Sequence, residues 1–194
     1  TFYHGTGNAG YKEGDQWAYT YFLPHYQRDL INLQGGDKNF VQELDEAFKD
    51  GRLVFDNETL LHVPYLFNST AYPYKTQQWV HDIMHNRFGD SPGGLPGNDD
   101  LGAMSSWYVW SALGLFPVCP GNPVYAIGTP LFTEADLSLA GGKTWQIVSA
   151  QVSLPAGQQT LRIYTNNANG GWNLNWWEIL TSGSASVTTQ AANI

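Results

Sequence analysis

The chain has 194 residues, enough for one large domain or two small ones, and its 42% hydrophobic content can bury a core. Its formal net charge of −8 argues against nucleic acid or an anionic membrane surface as partner, since both select a basic patch. The single cysteine, Cys119, excludes an internal disulfide framework, and no apolar run approaches the roughly 18 residues of a membrane-spanning helix.

The opening TFYHGTGNAG carries neither initiator methionine nor signal peptide, so the chain reads as processed or as a piece of a longer one. WAYTYFLPHYQRDLINL reads as helical, broken or kinked at Pro24. Asp37 is placed to cap a helix whose apolar residues Phe40, Val41, Leu44, Ala47 and Phe48 follow a 3–4 spacing up to Gly51. Between Lys75 and Phe88, Trp79, Val80, Ile83, Met84 and Phe88 form one apolar arc. Ser105 to Leu115 predicts a further helix, stopped by Pro117. Near residue 118 the pattern changes to strands and turns, with VYAIG, ADLSLAGGKTWQIVSAQVSL and QTLRIYT punctuated by Gly, Pro and Asn. The final TSGSASVTTQAANI has the composition of a linker or tail.

Charged residues make up only 13% of the chain, beside 8 Trp and 11 Tyr. Low charge with many aromatics suits sugar recognition, because flat rings stack on the C–H faces of pyranoses. Aromatics also fill cores, so composition alone does not decide. Three acidic positions lie in turn-rich, aromatic surroundings: Glu13 in YKEGDQWAYTYFLPH, Glu58 in DNETLLHVPYLFN, and the pair Asp99–Asp100 in GLPGNDDLGAMSSWYVWSALGLFP. Two carboxyl groups facing each other across a cleft can cleave a glycosidic bond, one protonating the leaving oxygen while the other activates water or attacks the sugar. An alternative is helix capping, because negative charge is favourable ahead of a helix such as the one after Asp100.

YKEGDQWAYTYFLPH, NETLLHVPYLFNSTAYPYKTQQWV and GLPGNDDLGAMSSWYVWSALGLFPVCPGNPVYAIGTPLF occur in this order over about residues 10–133. Together they resemble the C-terminal half of the catalytic region of glycoside hydrolase family 92, the calcium-dependent, inverting, exo-acting α-mannosidases. The resemblance implies part of an (α/α)6 barrel, with Glu13 as general acid and Asp100, beside Asp99, as general base. Asn57 and Glu58 fall in the family's NEP segment at the calcium ion and the terminal mannose, and His62 lies in the same stretch. Calcium takes hard oxygen ligands, which suits Asn57, Glu58 and Asp100. Trp17, Tyr65 and Trp107 are candidates for stacking on sugar, with His25 and His62 as further substrate contacts. Two departures stand out: Tyr26 follows His25 where the family carries Asp, and Thr59 replaces the Pro of NEP.

The tail segment QVSLPAGQQTLRIYTNNANGGWNLNWWEI is similar to the end of a family 6 carbohydrate-binding module, a β-sandwich, in which Asn173 would bind sugar. The expected class is therefore α+β multidomain, a partial (α/α)6-barrel helical region followed by β-sandwich strands. Residues 1–117 form the helical catalytic region, 118–149 a strand segment closing it, 150–182 the module-like strands and 183–194 a linker or tail.

His81 and His85 are spaced i, i+4 in HDIMH, but the segment lacks the Glu of a zinc-protease motif, and zinc is disfavoured. Cys119 in PVCPG has no adjacent base and is disfavoured as a nucleophile. Sequons occur at Asn57 and Asn68; glycosylation at Asn57 would collide with the calcium role. The resemblance thus implies a secreted or periplasmic α-mannosidase using Ca2+, acting on mannose-containing oligosaccharides or N-glycans. Its partner would be the missing N-terminal part of the same enzyme. Two other readings remain open here, a non-catalytic carbohydrate-binding protein and an inactive fragment of a larger mannosidase.

Overall fold

The computed structural model describes residues 10–139, 143–148, 176–179 and 187–190. The chain divides into two compact units, residues 1–132 and 133–194.

In the first unit α1 (Gln16–Tyr21) starts at Asp15, whose side chain accepts hydrogen bonds from the Trp17 and Ala18 amides. The chain then turns through Pro24 before α2 (Gln27–Leu33), so the predicted single stretch is two short helices. The longer α3 (Asp37–Lys49) is capped by Gly36 rather than by Asp37. Gly36 has φ +86°, a conformation in which glycine carries no Cβ penalty. Asp37 becomes the first helical residue; its carboxylate accepts from Arg28 and from the Ala71 amide, tying α3 to neighbouring segments. The apolar face read from the sequence is buried, with Phe40, Leu44 and Ala47 fully enclosed.

Two 3₁₀ helices follow, Glu58–Leu60 and Val63–Ser69, in a stretch where neither helical nor strand periodicity is visible. Val63, Tyr65, Leu66 and Phe67 of the second are all buried, and α4 (Tyr74–Asn86) packs directly against it. Then α5 (Ala103–Ala112) ends three residues short of the predicted limit. The stop is Gly114 at φ +77°, not Pro117, and Leu115–Phe116 leave the helix to form β1, paired antiparallel with β2 (Ala126–Ile127). These elements share one core that includes Ile31, Phe40, Tyr65, Val80, Met104 and Trp107.

The second unit contributes β3 (Glu134–Leu139) and β4 (Lys143–Val148), an antiparallel pair in register from Glu134↔Val148 to Leu139↔Lys143. It also contributes β5 (Trp176–Ile179) paired with β6 (Val187–Gln190), the latter within the stretch read as linker or tail. Among the described residues the strands form three separate two-stranded sheets. The described residues accordingly form a mostly helical fragment with few strands. The segments QTLRIYT and GGWNLN, with Asn173, lie outside the described residues.

Candidate active site

Three loops far apart in sequence carry the acidic candidates, and the fold ties each to its neighbour. The turn before α1 holds Glu13 at φ +55°, in the left-handed region that a side chain with Cβ seldom adopts. Hydrogen bonds fix this turn at two successive carbonyls. Tyr19 Oη donates to Lys12 O at 2.7 Å, and Thr59 Oγ1 donates to Glu13 O at 2.9 Å. The second bond joins the Glu13 turn to the first 3₁₀ helix. The Glu13 side chain is half exposed, with Lys12 Nζ 3.7 Å away.

Asn57 caps that 3₁₀ helix, its Oδ1 accepting from the Glu58 amide at 2.7 Å. Glu58 Oε2 is buried without a hydrogen-bond partner, and so is Gln16 Oε1 at the start of α1, an element in contact with this 3₁₀ helix. Buried acceptors without donors cost free energy unless something else neutralises them. The third loop is clamped to the second at Gly97, where an added Cβ would lie 1.9 Å from the Asp56 carbonyl oxygen. Only glycine permits that approach. Asp56 itself shows the crowding of acids here, since desolvation and the nearby charge of Asp15 push its carboxyl up.

Beyond Gly97 the two neighbouring aspartates diverge. Asp99 is a capping group, its Oδ1 accepting from Ser105 N and Ser105 Oγ, both at 2.8 Å. Asp100 is exposed and sits at φ +42°, followed by Leu101 at +59°. Left-handed backbone at non-glycine residues costs about 1–3 kcal/mol each and concentrates at functional sites. All three such residues among those described are Glu13, Asp100 and Leu101.

The candidates for sugar contact separate differently. Trp17 is half-buried, and the Arg52 guanidinium lies 4.6 Å above its ring, covering one face. His62 is buried, its Nε2 2.9 Å from Tyr21 O, and desolvation holds its pKa below the ordinary histidine value. Tyr65 and Trp107 are fully buried. Tyr65 Oη bonds Ser111 Oγ at 2.8 Å, and Trp107 Nε1 donates to Leu61 O at 2.8 Å while its ring packs in one cluster with Phe55 and Phe88. His62, Tyr65 and Trp107 therefore lie in the core beneath the loops, more deeply buried than the sugar-facing place expected of them. Burial is tolerated because His62 Nε2, Tyr65 Oη and Trp107 Nε1 each find a partner inside.

Beside the Glu13 turn lies a group of aromatics absent from the sequence candidates. Tyr11 and Tyr19 lie 5.3 Å apart, and Tyr19 and Phe22 5.9 Å, with both Tyr19 and Phe22 at the surface. Tyr19 lies on α1 and Phe22 caps its C-terminus, three residues apart and away from the buried Ala18 and Tyr21. His25 is exposed elsewhere, lining a hollow of about 320 Å³ with Asn68, Cys119, Asn122 and Tyr125; none of the acidic candidates lines it. His81 and His85 stack on each other with ring centres 4.0 Å apart. Among the described residues no group of three His, Cys, Asp or Glu is placed to hold a metal. An ion at the Glu58 loop would need amide oxygens as well, such as those of Gln16 and Asn57.

Three acid-bearing loops are thus tied together on a helical scaffold, an arrangement compatible with part of a glycoside hydrolase catalytic domain. Comparison with known proteins agrees: the glycosyl hydrolase family 92 catalytic domain matches residues 1–189. The chain belongs to glycoside hydrolase family 92, an α-mannosidase family. That match runs through the tail segment, so a family 6 carbohydrate-binding module there is not supported.

An uncharacterized secreted glycosidase of Arthroderma benhamiae is 37% identical over 125 residues, covering 64% of this chain and 16% of that protein. The family GH92 inverting mannosidase BT2199 of Bacteroides thetaiotaomicron superposes with a TM-score of 0.66 at 30% identity, over 74% of this chain and 23% of that one. The family GH92 α-mannosidase BT3965 of the same organism gives 0.66 at 34% identity, over 73% and 20%. The chain spans a quarter or less of the length of each of these relatives.

Proposed function

We propose that this chain carries the acid, base and calcium-holding loops of a secreted, calcium-dependent, exo-acting α-mannosidase that inverts configuration. The observation that supports this reading best is the left-handed backbone at both Glu13 and Asp100, on loops joined through the Asn57–Glu58 segment. Glu13 donates its proton to the glycosidic oxygen as the bond to the sugar breaks. Asp100 takes a proton from the attacking water, which adds from the opposite face and leaves the free sugar inverted. Asp99, engaged with Ser105, holds the loop that presents Asp100 rather than acting on substrate.

Asn57, Glu58 and Gln16 would hold the calcium ion, since they offer only oxygen and two of them present buried acceptors without donors. Bound there, the ion supplies positive charge for mannose hydroxyls. Tyr19 and Phe22 provide an aromatic surface for oligosaccharide, in keeping with mannose-containing glycans as substrate. The remaining catalytic domain of a family 92 enzyme is the natural partner, given the share of its relatives this chain spans.

The test is mannose release from an α-mannobiose, with calcium and with a chelator, alongside Glu13→Gln and Asp100→Asn. Chelator-sensitive release, lost in both variants and giving β-mannose first by NMR, supports the reading. Release that survives Glu13→Gln removes Glu13 as the acid, and α-mannose as first product removes inversion. Mannoside binding without turnover would favour a carbohydrate-binding role resting on the Tyr11–Tyr19–Phe22 aromatics.

A further inference from the structure

We propose that Thr59 is a positioning residue for the acid: its hydroxyl holds the left-handed turn that aims the Glu13 side chain. This rests on the reading of Glu13 as general acid. The direction of a side chain follows from its backbone dihedrals, so a residue at φ +55° points where no ordinary extended or helical residue at that site would. Such a conformation persists only where its surroundings over-determine it. Of the bonds at this turn, those from Tyr19 and within the Asp15 cap are local, spanning at most seven residues. The bond from Thr59 Oγ1 to Glu13 O spans 46 residues.

It is also the bond that refers Glu13 to another part of the site, since Thr59 directly follows the Asn57–Glu58 pair. Thr59 is buried, and Gly14 packs against it so closely that an added Cβ would lie 3.2 Å from Thr59 Oγ1. The hydroxyl therefore has a fixed address and little water to compete for it. The proline that occupies this position in the family's NEP motif has no hydroxyl to donate, so the device belongs to this sequence.

The experiment compares Thr59→Val, which keeps the shape and removes the donor, with Thr59→Ser, which restores the donor, and with Glu13→Gln. Each is assayed on an alkyl α-mannoside, whose departure needs a proton, and on a dinitrophenyl α-mannoside, whose departure does not. Thr59→Val should slow the alkyl substrate roughly 10- to 100-fold in kcat with the dinitrophenyl substrate little changed, and Thr59→Ser should recover most of the loss. Equal loss on both substrates, or none, overturns the positioning role. Absence of leaving-group selectivity in Glu13→Gln would instead overturn the acid assignment, and the two failures are distinct.

A second readout is independent of turnover. Hydrogen exchange of the amides in residues 12–19 should quicken in Thr59→Val and return in Thr59→Ser, with exchange in α3 and α4 unchanged. Unaltered exchange at 12–19 overturns the proposal whether or not the chain turns over substrate.

Discussion

Asp45→Asn should destabilise the helical unit by about 3 kcal/mol near neutral pH, and the loss should fade in acid. Asp45 lies on α3 with its side chain 11% exposed, and it receives bonds from two other helical positions on α4. Lys75 Nζ lies 3.0 Å from both carboxylate oxygens and is itself only 16% exposed, so this pair is largely withdrawn from water. Trp79 Nε1 donates to the same carboxylate at 2.8 Å. Lys49 Nζ, at 2.6 Å, is more than half exposed and adds under ~1 kcal/mol.

Removing one partner of a buried pair costs about 3–5 kcal/mol, because the other charge stays behind unpaired. Asparagine keeps one acceptor for Lys75 or Trp79, which puts the expected loss at the lower end, ~3 kcal/mol. Burial alone pushes the Asp45 carboxyl up, but hydrogen bonds from Lys49, Lys75 and Trp79 outweigh it and hold the pKa below the ordinary value. A depressed folded pKa contributes stability that is present above the unfolded pKa and lost as pH falls through the folded one. Urea unfolding followed by tryptophan fluorescence, at neutral pH and at a series of acidic values, measures both effects. Equal midpoints for the two proteins at neutral pH would refute the argument. So would a difference that persists after the wild-type carboxylate has been protonated.

Gly97→Ala should cost about 2–3 kcal/mol and weaken any calcium response, since its Cβ meets the Asp56 carbonyl and must push the Asp99–Asp100 loop away; thermal unfolding with and without calcium checks both. On the proposed calcium role, calcium should raise the unfolding temperature of the wild type and raise that of Glu58→Gln less, read by calorimetry; an equal rise would remove Glu58 from the ion. His62 is held neutral by burial, so stability should begin to fall as pH drops below the ordinary histidine value, about 6.5, and continue towards its lower folded pKa. His62→Gln should flatten that part of the stability–pH curve, and an unchanged slope would contradict the buried neutral ring. Tyr65→Phe should cost ~1–2 kcal/mol by leaving Ser111 Oγ without its bond in the core, measurable as a shifted urea midpoint.

The sequence by itself determined the helices with a strong apolar period and the motifs of the family. Phe40, Val41, Leu44, Ala47 and Phe48 define a face that any core must cover, and α3 buries it as expected. The motifs around Glu13, Asn57–Glu58 and Asp99–Asp100 likewise identify the family, because long strings of unusual residues survive as chemistry without reference to geometry. Tertiary structure decided the rest. The stretch from Glu58 to Ser69 folds as 3₁₀ turns, which have no periodic signature, because packing against α4 outweighs local preference. The depth of Trp107, Tyr65 and His62 is likewise invisible in a line of text, and the fold buries all three with partners for Trp107 Nε1, Tyr65 Oη and His62 Nε2. Asp99 and Asp100 are neighbours of equal chemistry. Only the fold distinguishes them, bonding one to Ser105 and leaving the other exposed on left-handed backbone, and only contacts across 46 residues could bring the Thr59 hydroxyl to the Glu13 carbonyl.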